Sequence, residues 1–409
     1  MQAAPHKESK SAGHPSIQAE VNIGVIGHVD HGKTSLVEAM TGKWTDTHSE
    51  ELRRGISIRL GYADVSIYKC EKCKGASAYG TKEKCAHCAG KGKLERRISF
   101  VDAPGHETLM ATMLSGAALM DGAILVIAAN EPCPQPSTAE HLMALSISGT
   151  KKIVVAQNKV DLVDREGAMK NYAQIKKFLA EFGYADAKII PTAAHSQTNV
   201  DALLEAIETE ITTPKRDLKK ELRMYVVRSF DVNKPGTEIE KLKGGVFGGS
   251  IVQGSVKKGD GIEIKPGIEG KVLKTKVAEL ATSTGKLGEA IAGGLVAVGT
   301  SLDPNITRND QMRGQVIGHV GKVPDAVKML KVELTALKRL TGEGREIIKG
   351  DIVVVSVGTA MGVGSVTAKK GSEAEITLKN YVVCEKGQKL AVSKRESTGW
   401  RLAAYGTAK

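Results

Sequence analysis

A glycine-rich loop that ends in a lysine and a hydroxyl residue is the first stretch of the chain whose residue types can do chemistry. It spans residues 27–34 and reads Gly-His-Val-Asp-His-Gly-Lys-Thr. A buried strand is predicted before it and a helix after it, so backbone N–H groups and the helix N-terminus would face an anion. Lys33 is expected to reach the outer phosphates of a nucleoside triphosphate, and the Thr34 hydroxyl to bind Mg²⁺. The expected nucleotide contacts in the loop are Asp30, His31, Gly32, Lys33, Thr34 and Ser35.

Two later segments carry groups that act together with such a loop. Ser57 has a hydroxyl that can serve as a second Mg²⁺ ligand when a triphosphate is bound and be released after hydrolysis. Asp102 ends a predicted buried strand, where its carboxylate can hold Mg²⁺ through water, and the Gly105 N–H would then sense the terminal phosphate. The next residue, His106, could position the attacking water. The candidate catalytic residues are His106 and Asp30.

The motif Asn-Lys-Val-Asp at 158–161 follows another predicted strand and is expected to contact the base of the nucleotide. Asp161 offers a carboxylate to the N1–H and the exocyclic amine of guanine, whereas adenine presents the opposite pattern of donors and acceptors. Thr-Ala-Ala-His at 192–195 occupies the place of the loop that covers the base. The motif narrows the prediction from a nucleoside triphosphate to GTP. The residues expected at the base are Asn158, Lys159, Asp161, Ala193, Ala194 and His195.

Four of the six cysteines form two Cys-x2-Cys pairs separated by eleven residues. Two such pairs supply four thiolates at the spacing of a closed Zn²⁺ site, and an intracellular setting argues against disulfides. Residues 69–93 are therefore predicted to form a zinc knuckle at the tip of a hairpin. Its role is structural, or it also offers a docking surface to a partner. The predicted zinc ligands are Cys70, Cys73, Cys85 and Cys88, while Cys133 and Cys384 stay unpaired.

The net charge of +12 lies in the C-terminal half of the chain. Residues 1–213 carry 24 basic and 25 acidic residues, which leaves 34 basic and 21 acidic residues for 214–409. A polyanionic partner such as RNA and a solvated basic surface explain this equally well. No apolar run approaches the roughly 18 residues of a membrane helix. We expect a disordered tail at 1–19 and a cytoplasmic protein without a membrane partner.

The pattern of elements changes at residue 213. Before it, strands alternate with helices, which predicts a doubly wound, mostly parallel α/β sheet of the P-loop GTPase type, with the knuckle as an insertion. After it, short strands separated by glycine turns predict two β-barrels. The glycine run at 244–249 lacks a lysine and is expected to form barrel bends. The expected domains are 20–213, 214–323 and 324–409.

From residue 21 to the C-terminus, the chain resembles the translational GTPases of the elongation factor Tu superfamily. The matching motifs are the loop at 27–34, Arg-Gly-Ile-Ser-Ile at 54–58, 102–106 and 158–161. The four-cysteine insertion and the run 128–136 resemble the gamma-subunit family of archaeal and eukaryotic initiation factor two, and the short N-terminal segment is more typical of archaeal members. Ser57 stands where the family usually has Thr, and Ala193 where it usually has Ser.

The resemblance implies a GTPase that carries methionylated initiator tRNA to the small ribosomal subunit. Its expected cofactors are GTP or GDP, Mg²⁺ and Zn²⁺. The resemblance also implies a heterotrimeric initiation factor, in which an alpha subunit binds the second domain and a beta subunit binds the first. Bound GTP would order the segment around Ser57 and dock the first domain on the barrels, making a cleft for the aminoacylated tRNA end.

Three other functions remain open from the residues alone. The chain could be an elongation-type carrier of another aminoacyl-tRNA, such as selenocysteinyl-tRNA. It could be the GTPase subunit of a sulfate-activating enzyme, or a GTP-binding scaffold that hardly turns over. The zinc knuckle disfavours the first two, and the basic C-terminal half disfavours the sulfate-activating enzyme.

Overall fold

The computed structural model describes residues 18–46, 57, 60–106, 109–337, 346–396 and 399–409. Most of the expected tail and of the segment 53–58 therefore lies outside the described residues. Two residues assigned to the tail are described and differ from that expectation. Gln18 is 3% exposed and donates from Nε2 to the carbonyl oxygens of Ile291 and Gly293, at 2.6 and 2.7 Å. Ala19 is buried as well, so the described chain begins inside the packed structure.

The nucleotide domain is a sheet of seven strands with helices on both faces. The helices are α1 (Lys33–Thr41), α2 (Met110–Ala117), α3 (Pro136–Ser148), α4 (Arg165–Glu181) and α5 (Val200–Glu210). The strands are β1 (Val21–Ile26), β2 (Gly61–Cys70), β3 (Tyr79–Gly80), β4 (Gly92–Asp102), β5 (Gly122–Ala128), β6 (Ile153–Asn158) and β7 (Lys188–Pro191). Their order is β3-β2-β4-β1-β5-β6-β7.

The centre of this sheet is parallel because its strands are buried on both faces. All residues of β1, β5 and β6 are buried, as expected for strands covered by helices on each side. The hairpin β2–β4 adds the antiparallel edge, and the predicted knuckle lies between these two strands. The doubly wound, mostly parallel α/β fold is therefore confirmed.

The first barrel follows the nucleotide domain. Its sheet contains β8 (Arg223–Phe230), β9 (Val246–Gln253), β11 (Gly261–Ile268), β12 (Lys271–Thr282), β13 (Gly285–Leu287), β15 (Val296–Thr300) and β16 (Val316–His319). Strands β11, β16, β8, β9, β15 and β12 follow one another, and β12 pairs back to β11. A separate ribbon consists of β10 (Ser255–Lys257) and β14 (Glu289–Ile291).

The second barrel closes as β17-β20-β19-β18-β21-β22. These strands are β17 (Ala326–Ala336), β18 (Ile352–Val357), β19 (Ala360–Lys370), β20 (Glu373–Val383), β21 (Lys389–Glu396) and β22 (Gly399–Ala408). The prediction of two barrels is confirmed, although β22 was not predicted. No helix in the described ranges is long and apolar enough to cross a membrane.

Strand β9 corrects the expectation for the glycine run at 244–249, because this run enters a strand and does not only bend the barrel. A Cβ on Gly249 would lie 1.9 Å from the carbonyl oxygen of Tyr225 on the neighbouring strand β8. Glycine is needed here because two backbones approach closely.

Both barrels pack against helices of the nucleotide domain. Arg313 of the first barrel donates from Nη2 to Ser115 Oγ on α2 at 2.7 Å. Arg401 of the second barrel donates from Nη1 to Glu140 Oε1 on α3 at 2.9 Å. Leu402 of β22 also belongs to the apolar core beneath these helices. Both barrels therefore contact the nucleotide domain at α2 and α3, and the second barrel also contributes to its apolar core.

His141 on α3 is fully buried under the glycine-rich loop. Its Nδ1 accepts a hydrogen bond from the Gly27 N–H at 3.1 Å, whereas its Nε2 has no hydrogen-bond partner among the described residues. Burial lowers the pKa of His141 to about 3, because the charged ring would lose its hydration. The imidazole is therefore neutral in the folded protein at pH 7.

We expect His141→Asn to reduce the loss of stability on acidification. The unfolded chain protonates this ring below pH 6.5, while the folded protein resists protonation down to about pH 3. The stability that comes from the neutral ring is complete at pH 7 and is lost as the pH falls below 6.5. Between pH 7 and pH 5 the free energy of unfolding should fall by about 2 kcal/mol through this histidine, and Asn keeps an acceptor without titrating.

Denaturant unfolding at pH 7 and pH 5 measures this difference. Substitution of the exposed His195 by Asn is the matched control and should leave the acid-induced loss unchanged. An equal loss in His141→Asn and the wild type would show that His141 is not the titrating group.

Candidate nucleotide and metal sites

Parallel pairing brings the ends of four strands to one edge of the sheet. Val25 of β1 lies opposite Asp102 of β4, and Ala128 of β5 lies opposite Asn158 of β6. The segments that follow these strands surround a cavity of about 380 Å³, a volume typical of ligand sites. Nine predicted site residues line it: Asp30, Gly32, Lys33, Thr34, Ser35, Ser57, Gly105, His106 and Lys159.

Two glycines give the cavity its shape. Gly27 has φ +142°, and a Cβ there would lie 2.2 Å from the Val126 carbonyl oxygen. A Cβ on Gly105 would lie 2.3 Å from Lys33 Nζ and 2.7 Å from the Val29 nitrogen. A side chain at either position would therefore displace the loop. At Gly105, the missing side chain leaves room for Lys33, the lysine that is expected to hold the outer phosphates.

Lys33 is 6% exposed and lies at the N-terminus of α1. Its ammonium donates to the His28 carbonyl oxygen at 2.6 Å. Burial lowers the pKa of Lys33 to about 8, although the carboxylates of Asp102 and Asp30 oppose that shift. A polyphosphate would supply the negative charge that favours the ammonium form.

Asp102 has an oxygen that is suited to a cation. The residue is 1% exposed, and its Oδ2 accepts hydrogen bonds from Thr34 Oγ1 at 2.9 Å and Thr45 Oγ1 at 2.6 Å. Its Oδ1 is buried without a hydrogen-bond partner among the described residues. Burial raises the pKa of Asp102 to about 6. A buried carboxylate oxygen with no donor fits Mg²⁺ or a water bound to it.

Ser57 lies next to Thr34, as expected for a second hydroxyl ligand. Its Oγ lies 3.3 Å from Thr34 Oγ1 and donates to Asp46 Oδ2 at 2.8 Å. The structure therefore brings the three predicted Mg²⁺ ligands together and adds an acidic residue beside them.

Asn158 links the two sides of the site through one amide. Its Nδ2 donates to the His31 carbonyl oxygen at 2.9 Å, and its Oδ1 accepts from the Ala194 N–H at 3.0 Å. Ala193 is buried, whereas the side chains of Asp161 and His195 are exposed. The glycine-rich loop and the expected base loop are thus held at a fixed separation.

The structure does not direct the ring of His31 into the cavity. The ring is fully buried, with Nδ1 3.1 Å from the Val126 carbonyl oxygen and Nε2 3.3 Å from a Glu131 carboxylate oxygen. Burial lowers the pKa of His31 to about 4. Only the main chain of His31 is therefore available to a nucleotide. His106, in contrast, is half-buried and lines the cavity.

Three neighbours of the site were not predicted. Trp44 and Asp46 line the cavity, and Thr45 donates to the Asp102 carboxylate. They lie in a polar stretch without periodicity, where no spacing rule applies. Their only signal in the sequence is that they come shortly before Ser57.

The four knuckle cysteines converge in space. Their sulfur atoms lie within 4.8 Å of one another, with 3.5 Å between Cys70 and Cys88 and 3.8 Å between Cys73 and Cys85. Zn–S bonds of about 2.3 Å in a tetrahedron separate the sulfurs by about 3.8 Å. Backbone N–H groups of Cys88 and His87 lower the pKa of the Cys85 thiol to about 6. The cluster is therefore compatible with zinc.

Comparisons with known proteins agree with this architecture. The family model described as "Elongation factor Tu GTP binding domain" matches residues 18–213, and "Initiation factor eIF2 gamma, C terminal" matches 328–408. Among solved structures, a bacterial selenocysteine-specific elongation factor EF-Sec is similar, with a TM-score of 0.74 and 25% identity over 95% of this chain and 58% of that one. The elongation factor SelB from Methanococcus maripaludis, in complex with the GTP analogue GppNHp, shares the fold, with a TM-score of 0.73 and 21% identity over 96% of this chain and 79% of that one.

Sequence similarity is higher to another group of proteins. Translation initiation factor 2 subunit gamma of Methanocaldococcus jannaschii is 54% identical, over 95% of this chain and 97% of that protein. The protein of the same name from Pyrococcus abyssi is 51% identical, over 96% of this chain and 98% of that protein. The chain therefore belongs to the family of translation initiation factor 2 gamma subunits, with a nucleotide domain of the elongation factor Tu type.

Proposed function

We propose that this protein binds and hydrolyses GTP as the gamma subunit of a heterotrimeric initiation factor that delivers methionylated initiator tRNA to the small ribosomal subunit. The observation that carries the proposal is the 54% identity to an archaeal gamma subunit over nearly the whole chain. The match of residues 328–408 to the gamma-specific C-terminal family supports it. The protein would act in the cytoplasm, where ribosomes work.

The phosphates would lie against the glycine-rich loop. Backbone N–H groups of residues 30–35 and the N-terminus of α1 offer donors and a partial positive charge. Lys33 would exchange its hydrogen bond with the His28 carbonyl for one with the outer phosphates. Gly105 would donate its N–H to the terminal phosphate and so detect whether that phosphate is present.

The residues that would hold Mg²⁺ are Thr34, Ser57 and Asp102. When bound, the ion neutralises the negative charge of the phosphates. The buried Oδ1 of Asp102, which has no hydrogen-bond partner within the described ranges, supports this assignment. His106 and Asp30 line the same cavity and would orient the attacking water there.

Guanine would be recognised beyond the end of β6. Asp161 would accept from N1–H and the exocyclic amine, while Asn158 keeps the base loop in place through Ala194. Ala193 and His195 would cover the base together with Ala194. The exposure of Asp161 leaves its carboxylate available to a ligand.

The tRNA end would enter between the nucleotide domain and the first barrel. A cavity of about 390 Å³ lies there, bordered by Tyr62 and Asp64 on one side and by Phe230 and Ser283 on the other. The basic excess of residues 214–409 supports a polyanionic partner. The alpha subunit would bind the first barrel, and the beta subunit the nucleotide domain.

The elongation-type alternative has weaker support. The similar selenocysteine-specific factor is 25% identical, about half the identity of the gamma subunits. A GTPase subunit of a sulfate-activating enzyme does not account for the gamma-specific C-terminal match.

Filter binding with labelled tRNAs tests the proposal. The full chain, alone and assembled with alpha and beta subunits, is mixed with Met-initiator tRNA or elongator tRNA in a non-hydrolysable GTP analogue or in GDP. We expect the GTP analogue to strengthen binding of Met-initiator tRNA about tenfold or more over GDP, a normal size for coupling between two sites. Lys33→Met should abolish the nucleotide effect. Equal binding of all tRNAs in both nucleotides would contradict the proposed function.

The knuckle is proposed to hold one structural Zn²⁺ through its four cysteines. We predict about one zinc per chain by metal analysis, lost in Cys88→Ser and kept in the control Cys384→Ser, whose cysteine belongs to the second barrel. GTP binding should be largely retained, because the knuckle lies apart from the nucleotide cavity. Tetrathiolate sites depend on their metal for local folding. This assignment would be contradicted if protein purified without chelators contained no metal and its knuckle were still fully folded.

We predict that His106→Ala slows single-turnover hydrolysis on ribosomal subunits about 100-fold while GTP and tRNA binding stay near wild type. A group that orients water acts in the transition state more than in ground-state binding. His319→Ala, on the first barrel, is the control and should keep the rate. A normal rate with a lowered melting temperature would assign His106 a purely structural role.

A further inference from the structure

We propose that Asp46 is a positioning residue that orients the Ser57 hydroxyl toward Mg²⁺, an inference that rests on the GTP-binding function proposed above. Asp46 is half-buried and lines the cavity that also contains Thr34 and Ser57. Its Oδ2 accepts a hydrogen bond from Ser57 Oγ at 2.8 Å. Ser57 is thus held by a carboxylate that no sequence motif of the site includes.

The spacing of the two hydroxyls fits neighbouring ligands of one ion. Mg²⁺ holds oxygen ligands at 2.0–2.1 Å in an octahedron, so adjacent ligands lie about 2.9 Å apart. Thr34 Oγ1 and Ser57 Oγ are 3.3 Å apart. Asp102 Oδ1, which lacks a hydrogen-bond partner among the described residues, adds an oxygen that needs a positive neighbour. The hydroxyl of Ser57 is therefore already near its place as a ligand.

A hydroxyl that gives a lone pair to a cation must direct its proton elsewhere. Serine has one O–H donor and two lone pairs. When Ser57 donates to the Asp46 carboxylate, its lone pairs stay free for the ion. A hydrogen bond to a carboxylate is also stronger than one between neutral groups. Asp46 therefore selects the orientation in which Ser57 can coordinate.

This contact matters because residue 57 is serine. Threonine has a methyl group on Cβ that restricts χ1, whereas serine can occupy all three staggered rotamers. Without a partner, Ser57 would present its oxygen to the ion for only part of the time. Asp46 achieves by a hydrogen bond what a methyl group would achieve by steric restriction. The effects of changing the two residues should therefore depend on each other.

The test measures how dissociation of a fluorescent, non-hydrolysable GTP analogue from the full chain depends on Mg²⁺. We expect Asp46→Ala to raise the half-saturating Mg²⁺ concentration about tenfold, in the range for groups that orient metal ligands. Asp46→Asn keeps an acceptor oxygen and should raise the half-saturating Mg²⁺ concentration less than Asp46→Ala does. Ser57→Thr combined with Asp46→Ala should recover most of the loss that Asp46→Ala causes.

Glu38→Gln is the control for loss of a negative charge, because Glu38 is exposed on α1 near the site. It should keep the wild-type Mg²⁺ requirement. Two results would overturn the inference while the GTP-binding proposal stands. One is an unchanged Mg²⁺ requirement in Asp46→Ala. The other is an effect of Ser57→Thr on the Mg²⁺ requirement that is equal with and without Asp46. A wild-type chain that does not retain the analogue at any Mg²⁺ concentration would overturn both. If Asp46→Ala melts early, the same comparison is made with Asp46→Ser.

Discussion

The parallel pairing of β1 with β4 is the constraint on which the rest of the site depends. Val25 lies opposite Asp102, and the Ala103 N–H donates to the Val25 carbonyl oxygen at 3.0 Å. This register places the Asp102 carboxylate beside the loop that begins at Gly27. Because side chains alternate across a strand, a slip of one residue would turn Asp102 to the other face of the sheet. Complete burial of β1 makes such a slip costly, since it would move apolar side chains out of their packing.

The same edge of the sheet is connected to both barrels. Helix α2 follows the segment 102–106 and receives a hydrogen bond from Arg313, while α3 forms an ion pair with Arg401. Leu402 adds an apolar contact at the same place. A packed interface of this kind shifts between discrete arrangements and does not deform gradually, so movement at the terminal phosphate can be transmitted to the barrels. In the proposed function, this interface gives the GTPase a physical route to the proposed tRNA site.

Local sequence predicted the regular elements well where periodicity was strong. The alternation of strands and helices that was predicted before residue 213 is present in the structure. Strand β22 was missed because Gly399–Ala408 is rich in small residues with weak strand preference. Its pairing with β17 and β21 supplies the stabilisation that its composition does not provide. The strand thus exists because the barrel must close.

The sequence by itself determined the chemistry that depends on neighbouring residues along the chain. A phosphate loop, a base motif and paired cysteines each need fixed residue types at fixed short spacing, so they can be recognised before folding. Tertiary structure decided which way each side chain points. It turned the ring of His31 into the interior, placed His141 under Gly27 and set Asp46 against Ser57. These contacts join residues that are distant in sequence or lie in segments without periodicity, and their geometry follows only from the packing of the whole domain.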